Sequence, residues 1–235
     1  MTITPTPNDQ SDRSPAAVRA KQPGIRTRVE ANRRSRCKRL VDLVVTVPLV
    51  VAAVPVAGLV ALLVQAVDRG PALFVQEREG VDGVPFRFFK FRTMYVDAER
   101  RLEEHLAANP ERRQEWETVF KLENDPRVLP GIGRFLRVSS LDELPNLWNI
   151  LRGDMSLVGP RPFPGYHLDR FTPEFRRLRA SVRPGLTGLW QIGRGGLHDQ
   201  QLWDERYIAE WSLGNDLKIL VRTVPVVLLA RKAHY

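Results

Sequence analysis

A chain of 235 residues with 43% hydrophobic residues suits one packed domain, or one domain with an anchor, and is neither collagenous nor wholly disordered. Its single cysteine, Cys37, excludes an internal disulfide and a cysteine-rich zinc site. The formal net charge of +9 lies mostly in residues 1–40, which hold ten Lys/Arg and three Asp/Glu, so the nearly neutral body does not resemble a nucleic-acid-binding domain.

The N-terminal part of the chain changes character twice. Residues 1–32 are rich in Thr, Pro, Ser, Asp and Arg with little apolar periodicity, which is typical of a disordered basic tail. Residues 33–39, RRSRCKR, form a polybasic flank. Residues 43–67 then contain no Asp, Glu, Lys or Arg, and this run exceeds the roughly 20 residues that cross a bilayer as a helix. The sequence therefore predicts a membrane element within residues 33–67.

Composition alone leaves several interpretations of residues 43–67 open. A signal peptide is disfavoured, because the run is long and no small-residue cleavage site follows it. A buried helix of a soluble core has a similar composition. Within a membrane, the polybasic flank predicts a cytoplasmic N-terminus. Pro55 lies at the midpoint of the run, where proline kinks a helix, so the run either spans the bilayer or bends at this hinge and returns.

Residues 68–235 have the pattern of a mostly helical α/β domain. Residues 68–80 suggest a loop and a short strand, and residues 84–94 alternate apolar and basic side chains as a half-buried strand does. Proline and glycine exclude helix from residues 155–165 and 182–196. Helices are predicted over residues 96–108, 111–122, 139–151, 166–180, 199–212 and 216–232. The last helix is amphipathic with a basic end, which suits a membrane surface or a core-facing terminal helix.

An acidic pair is the most informative chemical feature of the sequence. The four histidines are dispersed, and HExxH, Walker A, GxGxxG and GxSxG motifs are absent. Asp142 and Glu143 follow Ser140 in the S-x-x-E pattern of a capping box, which by itself predicts a structural role at a helix start. Cations surround the pair in the sequence: Lys90, Arg92, Arg134, Arg137, Arg152 and Arg161.

Cations around an acidic pair are typical of a phosphoryl-transfer site. Carboxylates bind Mg²⁺ or attack phosphorus, while basic side chains stabilise phosphate charge. Arg161 stands between Pro160 and Pro162, so its loop is rigid and its guanidinium offers a bidentate fork to phosphate. We expect the phosphate-binding residues to be Lys90, Arg92, Arg137 and Arg161.

Three strings in order resemble one known family. SLDELPNLWNILRGDMSLVGPRP, with KFRTM upstream and RPGLTGLWQIGR downstream, is similar to the bacterial sugar transferase family, the monotopic phosphoglycosyl transferases that start glycan assembly on polyprenyl phosphate. The resemblance covers about residues 36–235. After the disordered tail that composition indicates (1–32), it implies a polybasic flank with a proline-broken re-entrant helix (33–67) and a small catalytic domain (68–235). That domain is expected on the cytoplasmic face of the inner membrane, with amphipathic interfacial helices.

The resemblance also implies a reaction. A UDP-sugar donates its sugar-1-phosphate to polyprenyl (undecaprenyl) phosphate, UMP leaves, and the lipid-linked product initiates exopolysaccharide, capsule, O-antigen or glycoprotein glycan assembly. By position, Asp142 is the nucleophile that forms a covalent aspartyl-phosphosugar, and Glu143 is its partner at Mg²⁺. Membrane lipids are expected partners and nucleic acid is not.

Two differences and one alternative accompany the resemblance. Val54 precedes the hinge Pro55 where family members commonly have serine, and the segment after Trp190 is one residue shorter than is often found. The alternative function is a non-catalytic membrane-anchored protein that binds a nucleotide-sugar or polyprenyl phosphate. The sequence identifies neither the sugar, nor the glycan pathway, nor the oligomeric state.

Overall fold

The computed structural model describes residues 22–119, 122, 124–193 and 197–228. The helices and strands are α1 (Gln22–Arg34), α2 (Arg36–Val67), β1 (Leu73–Glu79), β2 (Pro85–Phe91), α3 (Ala98–Ala108), α4 (Pro110–Val119), α5 (Ile132–Ser139), α6 (Asn146–Arg152), β3 (Ser156–Val158), α7 (Gly165–Leu168), α8 (Pro173–Ala180), β4 (Gly185–Thr187), α9 (Leu189–Ile192), α10 (Leu197–Ala209) and α11 (Leu213–Leu228). Turns of 3₁₀ helix cover Val81–Gly83 and Leu141–Glu143. The predicted mostly helical α/β class is confirmed.

Helix α1 corrects the prediction of a disordered tail over residues 22–32. Its side chains make long-range contacts that local composition does not reveal: Arg28 donates to the carbonyl of Trp211 at 3.3 Å, and Asn32 is buried. Most helices in proteins are stabilised by such tertiary packing rather than by propensity, which explains the difference. The remainder of the predicted tail, residues 1–21, lies outside the described residues, as do residues 229–235 of the predicted terminal helix.

Helix α2 is the one described helix long and apolar enough to cross a membrane. Only 11% of its most apolar window is buried, and residues such as Val51, Val54 and Leu62 are exposed, which disfavours a soluble core helix. The helix runs as one element of 32 residues through both Pro48 and Pro55. Because its length and composition do not show whether it returns to the same side of a membrane, the bend at Pro55 stays a prediction.

The described chain forms two compact units. Of the described residues, the first contains those within 22–42, 78–86 and 154–223. Within it, β3 and β4 pair in parallel, with Ser156 opposite Gly185 and Val158 opposite Thr187. The start of α2 is held in this unit by a buried ion pair, in which Lys38 Nζ lies 2.6 Å from Asp216 Oδ2.

The second unit contains the described residues within 43–77, 87–153 and 224–228. Its core is formed by buried apolar side chains from α2, β2, the loop before α5 and α5 itself: Val60, Val64, Phe91, Leu129 and Leu136. The guanidinium of Arg92 binds the carboxylate of Asp68, the residue after α2, and donates to the carbonyl of Pro71 at 2.7 Å. The end of the apolar helix is thereby tied to the strand that enters the candidate site.

The antiparallel hairpin of β1 and β2 belongs in part to each unit. Backbone hydrogen bonds join Arg92 N to Ala72 O (2.8 Å) and Gly80 N to Val84 O (2.9 Å). Strand β2 confirms the strand predicted over residues 84–94, with a further bridge between Met94 and Val128.

A glycine at the start of α5 permits close packing, which gives a stability prediction. A Cβ on Gly133 would lie 2.5 Å from Thr93 O and 2.9 Å from Val128 Cγ1. We expect Gly133→Ala to lower the free energy of unfolding by about 1–3 kcal/mol through overpacking. Gly214→Ala, at the same position of α11 with open space around it, is the control and should not destabilise. Thermal unfolding in detergent compares them, and a Gly133→Ala protein as stable as wild type would contradict the packing argument.

Candidate active site

The turn that holds the acidic pair differs from the predicted capping box. Ser140 has φ 62°, in the left-handed region, and its N–H bonds to Arg137 O as the cap that ends α5. Its hydroxyl caps no helix, and Ser140 Oγ is buried without a hydrogen-bond partner among the described residues. The capping-box prediction is therefore wrong, because the left-handed backbone at Ser140 directs the chain into a 3₁₀ turn, Leu141–Glu143, rather than into one continuous helix over residues 139–151.

The structure brings Asp142, Glu143 and Lys90 together. Both acids are buried, at 5% and 7% exposure. Lys90 Nζ lies 3.2 Å from Asp142 Oδ2 and 2.9 Å from Glu143 Oε1. One ammonium thus pairs with two carboxylates in surroundings from which water is largely removed.

Two asparagines of α6 fix the strand that supplies Lys90. Asn146 Oδ1 accepts from the N–H of Phe89 at 3.2 Å, and Asn149 Nδ2 donates to the carbonyl of Arg87 at 2.6 Å. These bonds hold the part of the strand that comes just before Lys90 and so keep that residue opposite the acidic pair. Sequence analysis missed both residues, although two asparagines three apart in an otherwise apolar helix are the signal that could have revealed them.

The cluster suits a divalent cation. Asp142 Oδ1 is buried with no hydrogen-bond partner among the described residues, an arrangement that costs free energy unless a positive group binds there. Within the described residues no group of three or more His, Cys, Asp or Glu side chains could hold a metal. Mg²⁺ needs fewer protein ligands, since it is commonly bound by one or two carboxylates together with substrate phosphates and water. The residues present therefore fit the expected Mg²⁺.

Two predicted phosphate-binding arginines of the same unit have other contacts. Arg92 is 6% exposed and uses all its guanidinium nitrogens on Asp68 and Pro71. This geometry ties Arg92 to the end of α2 and does not bring it to the acidic pair. Arg137, five residues before Asp142 in the chain, donates from Nε to Thr93 Oγ1 at 3.0 Å.

Arg161 belongs to the other unit, in the loop between β3 and α7. The loop lies beside a shallow pocket whose lining includes Glu79, Pro160, Arg161 and Arg179. The main-chain carbonyl of Arg161 accepts a hydrogen bond from the guanidinium of Arg179. Arg194, in the glycine-rich segment that was expected near the donor sugar, lies outside the described residues.

Comparison with known proteins identifies the family of this chain. The model of a family described as bacterial sugar transferase matches residues 33–230, which contain α2, the acidic pair and the Arg161 loop. The chain belongs to the bacterial sugar transferase family. The resemblance noted in the three sequence strings is confirmed.

Named relatives cover most of this chain. It is 43% identical over 202 residues to undecaprenyl-phosphate galactose phosphotransferase of Salmonella typhimurium, a match covering 84% of this chain and 42% of the relative. It is 39% identical over 208 residues to UDP-glucose:undecaprenyl-phosphate glucose-1-phosphate transferase of Caulobacter vibrioides (84% and 72%). It is 41% identical over 200 residues to exopolysaccharide production protein ExoY of Sinorhizobium fredii (84% and 88%). The match thus spans about 40% of the length of some relatives and most of the length of others.

The shared ammonium gives a prediction for stability. Lys90→Met removes the ammonium that both buried carboxylates share, and we expect it to lower the free energy of unfolding by about 2–4 kcal/mol. Arg100→Met is the control, because Arg100 also contacts two carboxylates, Asp97 and Glu104, but on the exposed surface of α3. It should change stability little. Equal losses in thermal unfolding of the two variants would contradict the burial argument.

Proposed function

We propose that this chain transfers a sugar-1-phosphate from a UDP-sugar to polyprenyl (undecaprenyl) phosphate and releases UMP. The observation that supports it most is the buried pair Asp142–Glu143 on one lysine, with Asp142 Oδ1 lacking a partner within the described part of the chain. A carboxylate oxygen held in a rigid, partly dry site is a suitable nucleophile toward phosphorus. The names of the Salmonella and Caulobacter relatives agree with this reaction.

The proposed reaction has two balanced steps. An oxygen of Asp142 attacks the phosphorus that bears the sugar, a new O–P bond forms, and the bond from that phosphorus to the bridging oxygen breaks. UMP leaves with the bridging oxygen and the electron pair. An oxygen of polyprenyl phosphate then attacks the same phosphorus, and the Asp142 carboxylate is restored. Two steps at one carboxylate let a water-soluble donor and a lipid acceptor react in turn.

Charge stabilisation is assigned to the residues around Asp142. Glu143, with Asp142 beside it, would hold Mg²⁺, which supplies positive charge to the diphosphate. Lys90 holds both carboxylates in place and adds a positive charge beside the reacting phosphorus. Arg161, from its rigid loop, is proposed to bind a donor phosphate.

The proposed topology is a re-entrant helix in the inner membrane, bent at Pro55, with the catalytic body on the cytoplasmic face. Near the start of α2, Asp42 Oδ1 accepts from Ser156 Oγ and from Leu157 N, both at 3.0 Å. Between residues 68 and 156 the described chain contains no second candidate span. The undescribed gaps there have at most two residues, at about 3.5 Å each, and are too short for a hydrocarbon core of about 30 Å. Both ends of α2 then belong on one side, which supports the bend.

Trapping the intermediate tests the proposed chemistry. With UDP-sugar and Mg²⁺ but no acceptor, intact-protein mass spectrometry should find a sugar-phosphate adduct on wild type that disappears when polyprenyl phosphate is added. The isosteric Asp142→Asn should show no adduct and at least about a 1,000-fold loss of UMP release, because an amide does not attack phosphorus. Asp97→Asn, an exposed carboxylate of α3's N-terminus, is the control and should react like wild type.

Three other outcomes have distinct meanings. UMP released without an adduct, and only when both substrates are present, would mean direct transfer and would remove Asp142 as nucleophile. Donor binding without any UMP release across a panel of UDP-sugars would indicate the non-catalytic binding protein. An adduct that persists in Asp142→Asn would place the nucleophile elsewhere.

Cysteine labelling tests the topology. In a Cys37→Ser background, Glu30→Cys and Val75→Cys are exposed positions on either side of α2. A membrane-impermeant maleimide applied to inside-out vesicles should label both, and applied to intact spheroplasts should label neither. Pro55→Ala should straighten part of the population into a span and lower activity. Labelling of the two positions from opposite sides would overturn the re-entrant path.

A further inference from the structure

The loop that contains Arg161 is held by its main chain along its whole length. Its residues include three prolines, Pro160, Pro162 and Pro164, which restrict the backbone and remove its own donors. Four consecutive carbonyls accept hydrogen bonds from outside the loop: Pro160 from Gly185 N (2.8 Å), Arg161 from Arg179 Nη2, Pro162 from Arg78 Nη1 (2.8 Å) and Phe163 from Glu79 N (3.1 Å). The donor to the carbonyl of Arg161 is thus the side chain of Arg179. The orientation of that guanidinium determines where the backbone of Arg161 is held.

Arg179 is itself fixed by a buried ion pair. Its Nε lies 2.8 Å from Asp204 Oδ2, and the two side chains are only 6% and 4% exposed. Burial raises the pKa of the Asp204 carboxyl, and the neighbouring Arg179 guanidinium opposes that rise. Buried ion pairs of this kind seldom add net stability compared with apolar packing, so their value is in the geometry they impose.

Aromatic rings further restrict the guanidinium. Its Cζ lies 4.8 Å from the ring centre of Phe163, 5.4 Å from that of Phe171 and 5.9 Å from that of Phe175. Phe163 belongs to the same loop, so the loop packs on the side chain that holds it. With Asp204 on Nε and rings around the planar group, Nη2 is directed at the carbonyl of Arg161. A lysine has no planar fork and could not bind both Asp204 and that carbonyl in the same way.

We propose that Arg179 is a positioning residue for phosphate binding: anchored by Asp204, it fixes the backbone of Arg161 so that the Arg161 side chain is presented to the donor phosphate in one orientation. This inference rests on the proposed function, in which Arg161 contacts that phosphate. Arg179 and Asp204 then affect donor binding by positioning Arg161, and neither residue contacts the substrate itself.

A double-mutant cycle tests the coupling. Arg179→Lys should raise the donor KM or lower kcat/KM for the UDP-sugar by about tenfold or more, since a misplacement of about 1 Å has effects of this size. In an Arg161→Ala background the same substitution should have almost no further effect, because the residue through which it acts has been removed. Arg177→Lys is the matched control: it lies two residues away on α8, in an exposed pair with Glu174, and should leave kcat/KM unchanged. Additive effects of Arg179→Lys and Arg161→Ala would overturn the proposal.

A second measurement does not depend on turnover. Hydrogen exchange should accelerate in Arg179→Lys at the amides of Gly185 and Glu79, which bind the ends of the loop, while the amide of Leu157 in β3, which donates to Asp42 Oδ1 at 3.0 Å, keeps its protection. Asp204→Asn should give the same local pattern, and Arg177→Lys should not. If wild type neither binds UDP nor releases UMP, the proposed function fails, and exchange still decides whether Arg179 fixes the loop. Unchanged exchange in Arg179→Lys, or acceleration spread evenly over the unit, would overturn the positioning role.

Discussion

The pairing of Arg92 with Asp68 sets the register of the strand on which the candidate site depends. Asp68 follows the last residue of α2, and the guanidinium of Arg92 binds both its carboxylate and its main-chain carbonyl. Apolar side chains on a membrane helix do not specify a unique register against their neighbours. A partly buried ion pair does, because a shift of one residue would separate the two charges. The end of α2 and the end of β2 are therefore fixed to each other.

Each residue of the segment after Phe89 has one contact that the others cannot make. Lys90 binds the acidic pair, and Phe91 joins the apolar core with Val60 and Val64. Arg92 binds Asp68. The hydroxyl of Thr93 accepts from Arg137, and its carbonyl accepts from Leu129 N. The segment thus links helix α2 to the candidate site within one unit.

The sequence predicted the parts of this arrangement that have local signals. The acidic pair among cations, the alternating strand at Lys90 and the long apolar run were all readable in the linear pattern. Contacts with distant partners were not. Arg92 was expected to bind phosphate, which stays a prediction, and the sequence did not reveal that its guanidinium binds Asp68, 24 residues earlier. Residues 22–32 have the composition of a disordered segment, and the local sequence does not reveal the contact between Arg28 and Trp211. The capping box failed because the turn at Ser140 is set by packing and not by its four-residue motif.

Several departures from ordinary folding rules lie around the acidic pair. Ser140 adopts a left-handed backbone, and three buried atoms in the same segment have no partner among the described residues: Ser140 Oγ, Asp142 Oδ1 and Asn146 Nδ2. Each lowers stability, so their surroundings must be rigid to maintain them. The asparagine bonds to β2 and the Lys90 pair provide that rigidity. A buried polar group that has no hydrogen-bond partner in the folded protein gains a partner when a charged ligand binds. The free energy that the unpaired group cost in folding then favours binding. Charged groups that are held in place before the substrate binds usually make the largest single contribution to the rate of an enzyme. Holding them in place costs stability, and here that cost falls where the chemistry is proposed to occur.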